Sequence, residues 1–215
     1  LTTLLKLSRG WFKLMRMERM QATRQLQSLQ SQINPHFLLN SLQTIYALSL
    51  EKSEHGPEAI LQLSDILKYT LYETDQPRVE LHKEIGMIKN YVEMYRRRVD
   101  PRQARIDLQV KGDPGEALIA PMILLPFIEN SFKHGLARAD SSFVRILLDI
   151  QGLNLNFEVS NSCSRDREED LEQKGGIGIE NTRQRLDLLY PGRYRLEIDE
   201  KEPTFTVRLR LALHR

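Results

Sequence analysis

The sequence predicts an α+β protein, with a helical first half and a mixed helix-and-strand second half. Three observations carry this reading. Over the first 35 residues apolar side chains recur at alternating spacings of three and four. From there to about residue 100, helical apolar faces are separated by breaks containing Pro57 and Pro77. After Pro101 the pattern switches to the strict alternation of a half-buried strand, as in Ile106-Asp107-Leu108-Gln109-Val110.

The first stripe runs through Phe12, Met15, Arg19, Ala22, Leu26, Leu29 and Ile33, with Arg19 as its flaw. A lone helix of this kind has no core, so it needs a copy of itself or the next helix to cover it. The spacing predicts a signalling coiled coil over 1–33, with a plain surface helix as the alternative. Pro35 suits a first helical turn because it has no N–H to leave unpaired, and Asn34 is then a fitting N-cap. Helices are expected over 36–50, 58–73 and 80–99, the first two forming an antiparallel hairpin. In the second half, a strand is expected over 106–110 and a helix over 120–136. Strands follow over 143–150 and 153–160 about a Gln151-Gly152 turn. A polar loop covers 162–174 and a helix 178–190, stopped by Pro191-Gly192. A closing strand pair covers 194–199 and 204–213. The organisation is thus 1–33 signalling helix, 34–100 helical region, and 101–215 α/β domain.

Bulk properties narrow the function. Of 215 residues 40% are hydrophobic and 28% charged, enough for a buried core. The net charge of +2 does not suggest a nucleic-acid footprint. Cys163 is the single cysteine, which excludes an intrachain disulfide and a multi-cysteine metal site and fits a reducing compartment. No apolar run approaches the ~20 residues that span a bilayer, and no signal peptide is visible. The chain begins at Leu1 with helical character, which points to a fragment of a longer protein.

Three segments carry candidate chemistry. In Asn34-Pro35-His36-Phe37-Leu38-Leu39-Asn40, an imidazole sits at the start of a helix. Neutral imidazole is nucleophilic, and its ordinary pKa of about 6.5 leaves it mostly neutral near pH 7. Asn40, one turn on, can orient it. Taken alone, such a histidine is more often a cap or a surface residue. In Pro126 to Gly135, helical spacing puts Asn130, Lys133 and His134 on one face. An amide carbonyl suits Mg²⁺, and Lys133 can neutralise phosphate charge. An ordinary amphipathic helix is the competing account. In Gly175-Gly176-Ile177-Gly178, glycines precede a helix, where backbone N–H groups can approach phosphates. Loop punctuation explains such glycines equally well. Arg183 and Arg185 lie one turn further on.

In this order and spacing, the three segments resemble the LytS-type (YehU-like) sensor histidine kinases. Residues 34–40 match that family's NPHFLxN phosphoacceptor motif. Residues 126–135 match the N-box of the GHKL ATPase superfamily, and 176–186 match its GxGLxNxxxRL lid with Ile179 in place of Leu. Leu188-Leu189-Tyr190-Pro191-Gly192 is similar to the family's LLYPG ending. The resemblance spans about residues 25 to 213. It implies a helical dimerisation and phosphoacceptor region over 34–100 and a GHKL (Bergerat) α/β sandwich over 101–215. It implies that ATP with Mg²⁺ phosphorylates His36. Asn130 would hold the metal. Lys133 and His134 would line the phosphate side, and Gly176 and Gly178 would form the lid over the phosphates, with Asn181 and Arg185 nearby. Implied partners are a second copy of the chain and a response regulator, typically of the LytTR type. A membrane sensor would precede the cytoplasmic part.

One position departs from the family. The adenine-binding Asp of its DxG motif is here Asn161, with no glycine after it. Asn keeps a carbonyl acceptor but lacks the carboxylate's charge-assisted strength. A dimeric signalling module that binds a regulator without catalysis is therefore an alternative, and a GHKL ATPase or protein-serine kinase is a third. The acidic neighbour that many histidine kinases place after the phosphoacceptor is here Phe37, so the sequence names no general base.

Overall fold

The computed structural model describes residues 35–136, 142–163, 176–201 and 203–215. The coiled coil expected over 1–33, the N-cap Asn34, Gly175 and the polar loop over 164–174 lie outside the described residues. The architecture is α+β, with five α-helices, one π-helical turn and seven strands among the described residues. None of the described helices is long and apolar enough to cross a membrane.

The chain divides into two compact units, Leu1–Gln43 and Thr44–Arg215. Of the first, the described part is the opening of helix α1 (Pro35–Leu50), which begins at the expected proline. Along α1, Phe37, Ser41 and Thr44 are buried, whereas Leu39, Leu42, Tyr46 and Leu50 are exposed.

In the second unit, α2 (Gly56–Lys68) buries Ala59, Leu63 and Ile66 at spacings of four and three. The expected helix over 58–73 is not regular to its end. Tyr69–Glu73 form a π-helical turn. Thr70 and Thr74 donate their hydroxyls to the carbonyls of Ile66 and Thr70, at 2.8 and 2.6 Å. Such back-bonding competes with the helical ladder and bends it. Helix α3 (Leu81–Arg96) follows a short strand, β1 (Val79–Glu80). Strand β1 pairs antiparallel with β3 (Leu118–Ile119), and the Leu81 N–H donates to Ala117 O at 2.8 Å.

The main sheet has the order β2 (Ala104–Lys111), β4 (Ser142–Gln151), β5 (Asn154–Ser162), β7 (Thr204–Ala212), β6 (Tyr194–Lys201). Only β2 and β4 are parallel. The register brings one apolar face together. Val144, Ile146 and Leu148 stand opposite Asn161, Val159 and Phe157, which face Phe205, Val207 and Leu209. All but Asn161 are apolar, and all nine are buried. The other face alternates out to polar residues, among them Glu158 and Arg208, paired across strands at 2.7 Å. Helix α4 (Leu125–Gly135) lies on β4 and β5, with the Phe127 and Phe157 rings 6.1 Å apart. Helix α5 (Gly176–Leu189) packs beside α4.

The helix expected over 120–136 begins only at Leu125. Its first residues form β3's exit and a turn in which Met122 takes φ +55°, a value no α-helix contains. Side chains take the peptide groups there. The Ala120 N–H donates to Tyr190 Oη at 2.7 Å and the Met122 N–H to Glu84 Oε2 at 3.0 Å. Pro121 and Pro126 bracket the turn. Pro126 then occupies the first turn of α4, where it costs no hydrogen bond.

Candidate nucleotide site

Helix α4 supplies the first wall. Its buried face carries Leu125, Phe127, Ile128, Ser131, Phe132 and Gly135. That leaves Asn130 and His134 half-buried and Lys133 exposed, as the helical spacing requires. Glu129, on the same helix, accepts from Tyr91 Oη at 3.0 Å. Burial pushes the Tyr91 hydroxyl well up from its ordinary pKa, and the Glu129 charge adds to this. Tyr95 stacks on Phe132 with ring centroids 4.1 Å apart, so aromatic contacts from α3 brace the back of α4.

The C-terminal end of α4 sits against Asn161. A Cβ on Gly135 would fall 2.6 Å from Asn161 Cβ and 3.1 Å from Val144 Cγ2. Glycine is therefore required here by close approach to β5 rather than by its φ angle. Gly135 O accepts from Ser162 Oγ at 2.9 Å, tying the same helix end to the same strand.

Asn161 is 1% exposed. It continues the row of Leu155, Phe157 and Val159 on the core face of β5 and is the first polar residue in it. Its Nδ2 donates to Ser162 O at 2.9 Å. That bond fixes the amide's orientation and leaves Oδ1 buried with no hydrogen-bond partner. An unsatisfied buried acceptor costs about 1–3 kcal/mol. The arrangement suits a ligand that brings its own N–H donor.

Helix α5 supplies the other wall. Gly176 and Gly178 lie within its first turn, not in a loop before it as the spacing suggested. Glycine costs a helix only about 0.5–1 kcal/mol, and Thr182, which is buried, donates to Gly178 O at 2.7 Å and braces the turn. The first four N–H groups of a helix have no partner within it, so this placement keeps the anion-binding character expected of the glycines. Gly178 and Asn181 are exposed, and a Cβ at Gly178 would meet nothing within 4 Å.

Arg185 has partners other than those its lid motif implied. Its guanidinium donates to Pro121 O at 2.7 Å and reaches Met122 O at 3.5 Å. It holds the turn leading into α4. The described residues therefore join Asn130, Lys133 and His134 on α4 and place Asn161 beneath the end of that helix, with α5 alongside. For His36 and Asn40 they establish only a place on α1, one turn apart. Sequence reasoning missed Glu84, Tyr91 and Thr182. Their signal lay in polar residues interrupting apolar helix faces, which says nothing of their partners.

Residues 24–103 match the family model for histidine kinase. Over 185 residues the chain is 29% identical to the sensor protein LytS of Oceanobacillus iheyensis, a match covering 80% of this chain and 31% of that relative. Over 181 residues it is 26% identical to the sensor histidine kinase/phosphatase LytS of Staphylococcus aureus, covering 77% and 30%. The chain thus spans about a third of the length of these curated relatives. Among solved structures, the histidine kinase domain of the Erythrobacter litoralis EL346 blue-light activated kinase aligns at 15% identity with a TM-score of 0.48. That alignment covers 88% of this chain and 94% of that one.

Proposed function

We propose, from its similarity to the LytS-type histidine kinases, that this chain transfers the γ-phosphoryl group of ATP to His36 and then to an aspartate of a response regulator. The observation that carries nucleotide use is the buried, unpartnered Oδ1 of Asn161. Its amide is committed as a donor to Ser162 O, so it offers the site an acceptor alone. An acceptor pairs with the exocyclic amine of adenine and opposes the carbonyl at the same place in guanine. The asparagine that departs from the family's Asp thus keeps the function needed for adenine.

The remaining roles are those the family resemblance implies. Asn130 holds Mg²⁺, which supplies charge neutralisation of the phosphates when bound. Lys133, His134, Gly176, Gly178 and Asn181 line the phosphate side. His36 attacks through one imidazole nitrogen while Asn40 orients the ring. Arg185, near the phosphate side, positions the turn before α4. Catalysis here is positioning and charge neutralisation rather than covalent chemistry by the α/β domain.

The chain acts as a homodimer, and the exposed Leu39, Leu42, Tyr46 and Leu50 on α1 are the apolar surface available for it. In the intact protein it is the cytoplasmic part below a membrane sensor, with 1–33 as signalling helix and a LytTR-type regulator as acceptor.

Incubation with γ-labelled ATP and Mg²⁺ tests this. Acid-labile label is expected with ATP, absent with GTP, and lost in His36→Gln while ATP binding persists. Label retained in His36→Gln removes His36 as acceptor. Failure of the wild-type chain to bind ATP supports the non-catalytic signalling module instead.

A further inference from the structure

Glu84 is fully buried on α3, and its carboxylate joins elements far apart in the chain. Tyr69, in the π-helical turn, donates its hydroxyl to Glu84 Oε2. The Met122 N–H donates to the same oxygen at 3.0 Å. The carbonyls on that turn, Pro121 O and Met122 O, are held by Arg185 of α5. Met122 is the left-handed residue of the turn, and a non-glycine there persists only where surrounding contacts over-determine it. One oxygen of Glu84 and the guanidinium of Arg185 provide that constraint. The turn leads directly into α4 and so into Asn130.

A π-helical turn can migrate along a helix, which would give this network a second arrangement. A π-turn holds one residue more than the α-helix it interrupts. Passing that residue along the helix rotates what lies beyond it by about 100°. Such a rotation takes Tyr69 off Glu84, whose Oε1 is already unpartnered. The buried carboxyl would then lose its hydroxyl donor, and the turn before α4 would lose part of its brace. The outer edge has a matching bond, Lys83 Nζ to Glu73 Oε1 at 3.0 Å. An open groove of about 390 Å³ beside Tyr69, Tyr72, Lys83 and Met87 leaves room for the movement.

We propose that Tyr69, Glu84 and Arg185 form a positioning relay through which the π-helical turn after α2 sets nucleotide affinity at the α4–α5 site. The proposal rests on the nucleotide reading above. By reciprocity, nucleotide binding then biases the π-turn by the same factor. Neither Tyr69 nor Glu84 lies on the nucleotide walls, so their effect on binding travels through the elements they brace, first among them the turn at Met122.

The test is titration of the 215-residue chain with a fluorescent ATP analogue, alongside thermal unfolding. Tyr69→Phe removes one hydroxyl, and it is expected to weaken nucleotide affinity by about fivefold or more. Glu84→Ala is expected to weaken it at least as much, and the double variant by clearly less than the sum of the two, because Tyr69 and Glu84 are bonded to each other and brace the same residue, Met122. Glu84→Gln keeps an acceptor for both donors and restores affinity to within about twofold. Ala59→Gly, in α2 but outside the relay, lowers stability and leaves affinity unchanged. Unchanged affinity in Tyr69→Phe, or additive losses in the double variant, overturns the relay while the nucleotide reading stands. A wild-type chain that does not bind the analogue overturns both.

Discussion

The end of α4 and the start of α5 are both glycine-marked, yet the two glycines answer to opposite physics. Gly135 is crowded. A methyl there would lie 2.6 Å from Asn161 Cβ, and the helix end is further tied through Ser162. Gly178 is open, with nothing within 4 Å of an added Cβ and no left-handed φ to require it. One glycine is explained by the fold itself. The other has no explanation inside the described residues and fits a surface kept low for an approaching phosphate. On the nucleotide reading proposed above, such a site would have a rigid adenine wall and an accessible phosphate wall.

The sharpest way to break that contrast is Gly135→Ala. Neither neighbour can yield cheaply, since Asn161 and Val144 are both core residues of the sheet. Overpacking of this kind costs about 1–3 kcal/mol. Displacing Asn161 also moves the acceptor to which the proposed function assigns adenine recognition. Thermal unfolding and ATP titration are expected to show both losses together. A variant as stable as wild type would remove the rigid-wall description.

A second test concerns the brace between the walls. Burial pushes the Glu84 carboxyl above its ordinary value, against the opposing pull of Tyr69, Met122 and Arg185. The folded chain therefore keeps this proton after the unfolded chain has lost it. Stability from this group is fully present below the ordinary carboxylate pKa. It declines as pH rises from there to the raised folded value, by at most about 1.4 kcal/mol per pH unit. Glu84→Gln does not titrate. Its stability relative to wild type is expected to climb across that window, and a flat difference between the two denaturation profiles would show that Glu84 titrates normally.

Much of the architecture was legible from pattern alone. Strict alternation marked β4 and β5, and the register then placed their apolar residues on one face. The polar face of α4 followed from helical spacing. What the pattern could not show were partners distant in sequence. Nothing in the order of residues says that Glu84, spaced like an ordinary surface acid, is buried beneath Met122. The failure over 120–124 has the same origin. The apolar run there looks helical, but its peptide groups belong to Tyr190, Glu84 and Arg185, from α3 and the end of α5. The lid motif puts Arg185 near the phosphates but does not name its partners within the fold, the carbonyls of Pro121 and Met122 some sixty residues away.

The smallest expected effect comes from the open wall, and its sign is the informative part. Alanine in a helix is more favourable than glycine by about 0.5–1 kcal/mol. With no neighbour to meet, Gly178→Ala should raise thermal stability by about that much, the reverse of Gly135→Ala. If phosphate oxygens come against the backbone of this turn, the added methyl intrudes on them. ATP affinity then falls while stability rises. The same substitution thus separates the two accounts of the glycine. Higher stability with unchanged affinity assigns Gly178 to helix punctuation and moves the phosphates toward Lys133 and His134.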